Sequence, residues 1–211
     1  MRGKRAKFFL IGGRLCLDFA NTVYPADQGG AVRSWDDLVD FLEAAGAIGA
    51  EPATRMRKLG RSDPRGCARA FVRGLELRDA IRHILQAATA GKPAPTRHVE
   101  VINRVLRDNQ GHEALSRGRA GWQLAFRPRH DRAVRALAVI ARSAAELVAE
   151  SLPARVRKCA NPKCVLYFYD PSPSGRRRWC CMTVCGNRMK VAAHARRQAK
   201  AGGNGSRSRR R

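Results

Sequence analysis

The sequence predicts an α+β protein: a mainly helical N-terminal domain with small β-hairpins, followed by a small cysteine-rich module. Three observations predict this. Apolar residues recur at helical spacing through much of residues 35–150. Residues 121–127 alternate instead, with Trp122, Leu124 and Phe126 two apart, as in a strand. Five of the seven cysteines fall between positions 159 and 185.

In chain order, Phe8 to Ile11, Gly12-Gly13 and Leu15-Cys16-Leu17 predict a hairpin through a glycine turn. Asp18 to Thr22 then enters a short helical turn or loop. Ser34 is placed to cap a helix whose Trp35, Leu38, Val39 and Leu42 share one face, ended by Gly46 and Gly49. Residues 50–66 hold two prolines and two glycines and read as a connection. A second helix is expected over about 69–88, carried by Leu77, Ile81, Ile84 and Leu85. Thr96 opens a third, with Val99, Ile102 and Leu106 inward and Glu100 near a reciprocal capping position. Residues 121–127 form a strand that pairs with 113–117. Asp131 caps the longest helix, about 132–150, which Pro153 stops. The expected domains are therefore 1–152 and 153–200, with 201–211 a disordered basic tail.

The chain has 211 residues, 42 Lys plus Arg against 17 Asp plus Glu, and a formal charge of +25. Its 44 % apolar content excludes a wholly disordered polycation. No apolar run is long enough for a membrane-spanning helix. Arg2, Lys4, Arg5 and Lys7 ahead of Phe8 to Ile11 have the outline of a secretory signal. Gly12-Gly13-Arg14 cuts that run short and no small-residue cleavage site follows, so a cytoplasmic protein is expected. Residues 151–211 hold 16 basic side chains and one acidic, Asp170, whereas residues 1–150 hold 26 and 16. A GC-rich coding bias explains Arg outnumbering Lys by 34 to 8, but not the disappearance of acids after Glu150. A segment that repels itself in this way calls for a polyanionic partner, and nucleic acid is the usual one.

The cysteine cluster reads Cys159-Ala-Asn-Pro-Lys-Cys164, fifteen residues, then Cys180-Cys-Met-Thr-Val-Cys185. Two close pairs at that separation have the spacing of a four-thiolate zinc site. The module has few large apolar side chains, so it needs metal-binding energy to fold. No His or carboxylate lies close enough to suggest an open catalytic site, so one structural, closed Zn2+ is expected. Cys180 and Cys181 compete for one coordination position on this reading. Lys158, Lys163, Arg178 and Arg188 would offset the net −2 charge of a four-thiolate site. Cys16 and Cys67 are isolated and read as small buried residues.

The run Arg157-Lys-Cys159-Ala-Asn-Pro-Lys-Cys164, then Phe168-Tyr-Asp170, then Arg176-Arg-Arg-Trp179-Cys180 and Cys185-Gly186-Asn187-Arg188 resembles the CGNR zinc finger family. Gly13-Arg-Leu-Cys-Leu-Asp18-Phe-Ala-Asn21-Thr22, with Leu77-Arg78-Asp79, resembles the ABATE domain that precedes this finger. The resemblance implies a treble-clef-like zinc module and a stress-induced transcriptional regulator. It also selects Cys159, Cys164, Cys180 and Cys185 as the ligands. The family usually has Ser where this chain has Cys181, which opens ligand swapping or oxidation there.

The functional expectation is a DNA-binding transcriptional regulator, not an enzyme. Arg176, Arg177 and Arg178 on a return strand, and Arg188, Lys190, Arg196 and Arg197 on a following helix, are the expected phosphate contacts. Trp179 and Tyr167 are expected to pack the finger core. Asp18, Asn21 and Thr22 are the candidate lining of a pocket for a small-molecule effector, with local capping as the plainer role. No GxxxxGK[ST], GxSxG, HExxH or paired carboxylate motif is present. The alternatives are an RNA-binding or ribosome-associated zinc protein, or a small-molecule enzyme in which the finger is a scaffold. A homodimer fits the short reach of a single finger.

Overall fold

The structure is a computed structural model and describes residues 8–23, 32–109, 111–118, 121–128, 133–150 and 155–204. Seven helices and four strands follow one another along these residues: α1 (Leu15–Ala20), α2 (Trp35–Ala44), α3 (Ala50–Ser62), α4 (Pro64–Thr89), α5 (Thr96–Arg107), β1 (Gly111–Gly118), β2 (Gly121–Pro128), α6 (Ala138–Ala149), β3 (Val156–Lys158), β4 (Tyr167–Tyr169) and α7 (Asn187–Asn204). A 3-10 turn, Ala133–Leu137, leads into α6. No helix among the described residues is long and apolar enough to cross a membrane.

α2 forms where its apolar spacing and cap predict. The Ser34 hydroxyl accepts from the Asp37 N–H at 3.1 Å, and Asp36 and Asp37 sit at the positive end of the helix. Residues 50–66 are not a connection but α3 and the start of α4. Their prolines, Pro52 and Pro64, stand in first turns, where the missing N–H costs nothing. Gly60 has a packing role: a Cβ there would lie 2.9 Å from the Trp35 ring. That close approach lets the Trp35 indole N–H donate to the Met56 carbonyl at 3.0 Å. Arg57 joins α3 to α2 by reaching Asp40 and Glu43, both at 2.7 Å.

The longest helix is α4, 26 residues, rather than the one ending near 150. Asp63 caps it by accepting from the Gly66 N–H at 2.8 Å. Leu77, Ile81, Ile84 and Leu85 of α4 share the main core with Ile102 and Val105 of α5 and with Ile140, Ala141, Ala144 and Leu147 of α6. α5 opens at Thr96 as expected, with Pro95 at the cap position and no side-chain capping bond. β1 and β2 pair antiparallel, with Leu115 opposite Leu124 and Arg117 opposite Trp122. Asp131, Pro153 and residues 205–211 lie outside the described residues. α7 extends through Asn204, into the segment expected to be tail.

The expected hairpin over residues 8–17 does not form. Leu15–Ala20 is helix α1, with Cys16, Leu17, Phe19 and Ala20 buried. Its surroundings are apolar on nearly every side, so it shows no one-sided stripe, and a short apolar run of this kind reads equally as strand or helix. Gly12 and Gly13 shape its entrance. A Cβ on Gly12 would sit 2.7 Å from Leu17 Cβ, and Gly13 has φ +79°.

β4 pairs antiparallel with β3, Val156 opposite Tyr169 and Lys158 opposite Tyr167. Val156 and Tyr167 belong to the main core, whereas Phe168 lies on the other side among Leu166, Cys159, Cys180 and Cys185. Asn21, at the end of α1, locks this strand in place. Its amide donates to the Tyr167 carbonyl at 2.8 Å and accepts from the Tyr167 N–H at 2.9 Å. The Tyr169 N–H donates to the Gly12 carbonyl at 2.7 Å, and Arg14 pairs with Glu150 at 2.6 Å. Asn21→Ala leaves two buried backbone groups of Tyr167 without partners, and we expect it to cost about 2–4 kcal/mol in urea unfolding of the zinc-loaded chain. A loss below about 0.5 kcal/mol would show that water replaces the amide.

Candidate metal centre

Cys159 follows β3, and Cys164 stands three positions before the start of β4, so the strand pair fixes the spacing of the first thiol pair. Asn161 and Pro162 make the turn between them. The Asn161 side chain accepts from the Lys163 N–H at 3.1 Å, and the Cys164 N–H returns to the Asn161 carbonyl at 2.8 Å. A π-type turn, Met182–Gly186, delivers Cys185 at the entrance of α7. Residues 176–179 do not form the expected return strand. Asp170 organises this stretch instead: fully buried, it accepts from the N–H groups of Ser172 at 3.0 Å and Arg177 at 2.9 Å. Those donations satisfy locally what a ladder partner would have bonded.

The Sγ atoms of Cys159, Cys164, Cys180 and Cys185 all lie within 4.8 Å of one another, with Cys164 and Cys180 at 3.8 Å. A tetrahedron with Zn–S bonds of about 2.3 Å has edges of about 3.8 Å, so the four thiols fit a zinc ion. Cys181 stands outside the quartet, which settles the competition between adjacent cysteines in favour of Cys180. The second layer is in place too. The Asn161 amide donates to Cys185 Sγ at 3.4 Å, and the Cys180 N–H donates to Cys159 Sγ at 3.5 Å. A hydrogen bond from the Cys180 thiol brings Cys164 down to about 5, whereas donating that proton pushes Cys180 up. Cys16 is buried elsewhere, and burial raises its thiol to about 11.

The expected basic residues divide into two groups. Arg177 is turned inward: its guanidinium lies 4.4 Å from the Phe168 ring centroid, and it donates to the carbonyls of Trp179, at 3.0 Å, and Cys180. Arg176, Arg178, Arg188, Lys190, Arg196 and Arg197 are exposed. Arg178 lies over the Trp179 ring at 5.0 Å, and Trp179 packs on the thiol cluster. Tyr167 is buried in the main core rather than the finger's own. A cleft of about 70 Å³ beside the cluster is lined by Ile11, Val165, Val184, Cys181, Lys163 and Arg188. Ile11 was not foreseen as part of this site, because no sequence signal links it to the distant cysteines.

Asp18, Asn21 and Thr22 use their polar atoms within the protein. Asp18 accepts from the Gly12 N–H at 2.7 Å. Asn21 holds Tyr167 as described. The Thr22 hydroxyl donates to the Phe19 carbonyl at 2.7 Å and accepts from Arg78 at 3.1 Å. Burial raises the Asp18 carboxyl to about 6, against the backbone N–H donations that favour its charge.

Two expectations follow from this geometry. Asn161→Ala should loosen zinc about 10- to 100-fold in chelator competition, while Cys181→Ser should keep one zinc per chain and Cys180→Ser should not. Zinc retained equally by both serine variants would remove Cys180 from the ligand set. Because the folded Asp18 carboxyl titrates above its unfolded value, ionising it costs stability as pH rises from about 4 to about 6. Asp18→Asn keeps the acceptor for Gly12 and removes that cost. It should add about 1–2 kcal/mol at neutral pH and flatten the dependence below pH 6, read by urea unfolding across that range.

Two family models match the chain in tandem. ABATE, described as "putative stress-induced transcription regulator", matches residues 13–151, and the CGNR zinc finger matches residues 155–198. No curated protein matches the chain. With the first match spanning well over half its length, the chain belongs to the ABATE family and carries a CGNR zinc finger whose Cys159, Cys164, Cys180 and Cys185 form the site of one structural zinc ion.

Proposed function

We propose that this protein is a transcriptional regulator that binds duplex DNA through its finger, with α7 as the reading element. One observation carries the reading. The only carboxylate in residues 151–211 is Asp170, and it is buried, so the finger's exposed charge is entirely cationic. Arg188, Lys190, Arg196 and Arg197 lie exposed on α7, and Arg176 and Arg178 lie exposed on the loop before it. An 18-residue helix is about 27 Å long and fits a major groove about 12 Å wide. Arginine side chains there reach phosphates and guanine edges in bidentate geometry.

The first domain supplies the regulatory input on this reading. β4 is shared between its core and the finger, so a change in how α1 packs alters the setting of the finger through Asn21 and Tyr167. Arg177 does not contact phosphate; it holds the loop that presents Arg176 and Arg178.

Neutralising four to six phosphates gives a slope of log affinity against log salt of roughly −4 to −5. Arg196→Ala with Arg197→Ala should reduce that slope by about 2 and leave zinc content unchanged. Fluorescence anisotropy of a labelled duplex, titrated with salt, measures both. A flat salt dependence, or structured RNA displacing the duplex at equal concentration, would overturn the proposal.

A further inference from the structure

The β1–β2 hairpin carries three large apolar side chains open to solvent on one face. Along β1, Ala114, Ser116 and Gly118 are half-buried, while Glu113, Leu115 and Arg117 face solvent. On β2, Trp122 and Leu124 continue that solvent face, with Leu124 opposite Leu115 and Trp122 opposite Arg117. Leu115 is 67 %, Trp122 69 % and Leu124 65 % exposed. Antiparallel strands with one solvated face normally put polar residues there. A two-stranded pair is also marginal by itself in water, so a face of this kind needs a cover.

We propose that this face is a homodimerisation surface and that its occupant is the same face of a second copy of this chain. The charge pattern selects that occupant. Glu113 and Arg117 flank Leu115 at equal distances along β1. A two-fold axis lying between two such faces and crossing the strands at Leu115 stacks Leu115 on Leu115 and Leu124 on Leu124. The same operation sets Glu113 of each copy against Arg117 of the other, so the face is complementary to itself, as an isologous contact requires. Nucleic acid is a poorer occupant, because the face presents an acid and three large apolar groups. The five side chains offer on the order of 500 Å² per copy, hence about 1,000 Å² in total, at the low end of specific interfaces. That size fits a dimer with a dissociation constant of about micromolar order, which a site with two half-sites would reinforce.

Sedimentation equilibrium of the full-length, zinc-loaded chain without nucleic acid tests the proposal independently of DNA binding. The wild type should dimerise below about 100 µM, at the weak end expected for so small an interface. Leu115→Ser with Leu124→Ser should be monomeric over the same range, with unchanged zinc content and helical circular dichroism. Glu113→Arg and Arg117→Glu should each weaken the dimer about tenfold, and the two together should restore it. A monomeric wild type, a dimer indifferent to the serine pair, or charge swaps without rescue would overturn the proposal. A monomer that binds anionic phosphatidylglycerol vesicles through the same residues would overturn it as well, and assign the face to a lipid surface.

Discussion

Strand β4 is three residues long and serves two interiors. Tyr167 and, in part, Tyr169 pack against the helical core, and Phe168 packs against the thiol cluster. The period-two alternation of a strand makes this possible: neighbouring side chains leave in opposite directions, so one short segment joins two cores. The hydrogen-bonding groups of Tyr167 face the same demand. Its backbone carbonyl and N–H are both taken by Asn21, the residue that caps the end of α1, 146 positions earlier in the chain. Burying an amide with both ends paired is favourable, and burying it half-paired is not, so the contact tolerates little displacement. The finger is therefore built onto the helical domain rather than hung from it.

Charge is distributed to match. A zinc ion held by four thiolates carries a net −2, and Lys163 and Arg188 line the cleft beside it. Asp170 is the one acid of this region, and its buried carboxylate is fully used by the loop it organises. Arg177 has the corresponding inward role among the cations, clasping the carbonyls of Trp179 and Cys180 and covering Phe168. What remains on the surface is of one sign. Asp170 and Arg177 thus order the backbone of this loop, helped by Arg155, which donates to the Ser172 carbonyl at 2.7 Å, while Arg176 and Arg178 stay exposed beside it.

The site was more legible in the sequence than the fold around it. Thiol spacing is a direct imprint of coordination geometry, so the two cysteine pairs could be read without any knowledge of the chain between them. The adjacent pair Cys180-Cys181 was the exception, because spacing alone cannot say which of two neighbours turns inward. α2, α4 and α5 were legible because each has one apolar stripe. α1 was not: its buried residues face protein on most sides, and the stripe vanishes. α3 was hidden by composition, since Pro52, Gly60 and Pro64 read as breakers until their positions are known. Two of them stand in first turns, and Gly60 makes room for the Trp35 ring. Asp18, Asn21 and Thr22 suggested a ligand pocket because polar residues clustered near a turn look alike whether they meet a ligand or the protein's own backbone. The contacts of Asn21 lie far along the chain, and nothing local announces them.

The shared strand also ties metal binding to the stability of the helical domain. Asn21 can satisfy Tyr167 only if β4 is formed, and β4 is held in register by the knuckle that Cys159 and Cys164 close. Structural zinc sites supply apparent binding energies of about 10–16 kcal/mol, which is as large as the whole stability of a typical domain at about 5–15 kcal/mol. Linkage then works in both directions. Zinc stabilises the helical core by completing the wall that Val156 and Tyr167 contribute, and a well-packed α1 tightens the zinc site by holding β4 against it. Any influence that shifts α1 acts on the thiol cluster through hydrogen bonds already made, without needing a separate relay. This coupling lends the support of the helical core to a finger whose own buried core is three cysteines, Leu166 and Phe168.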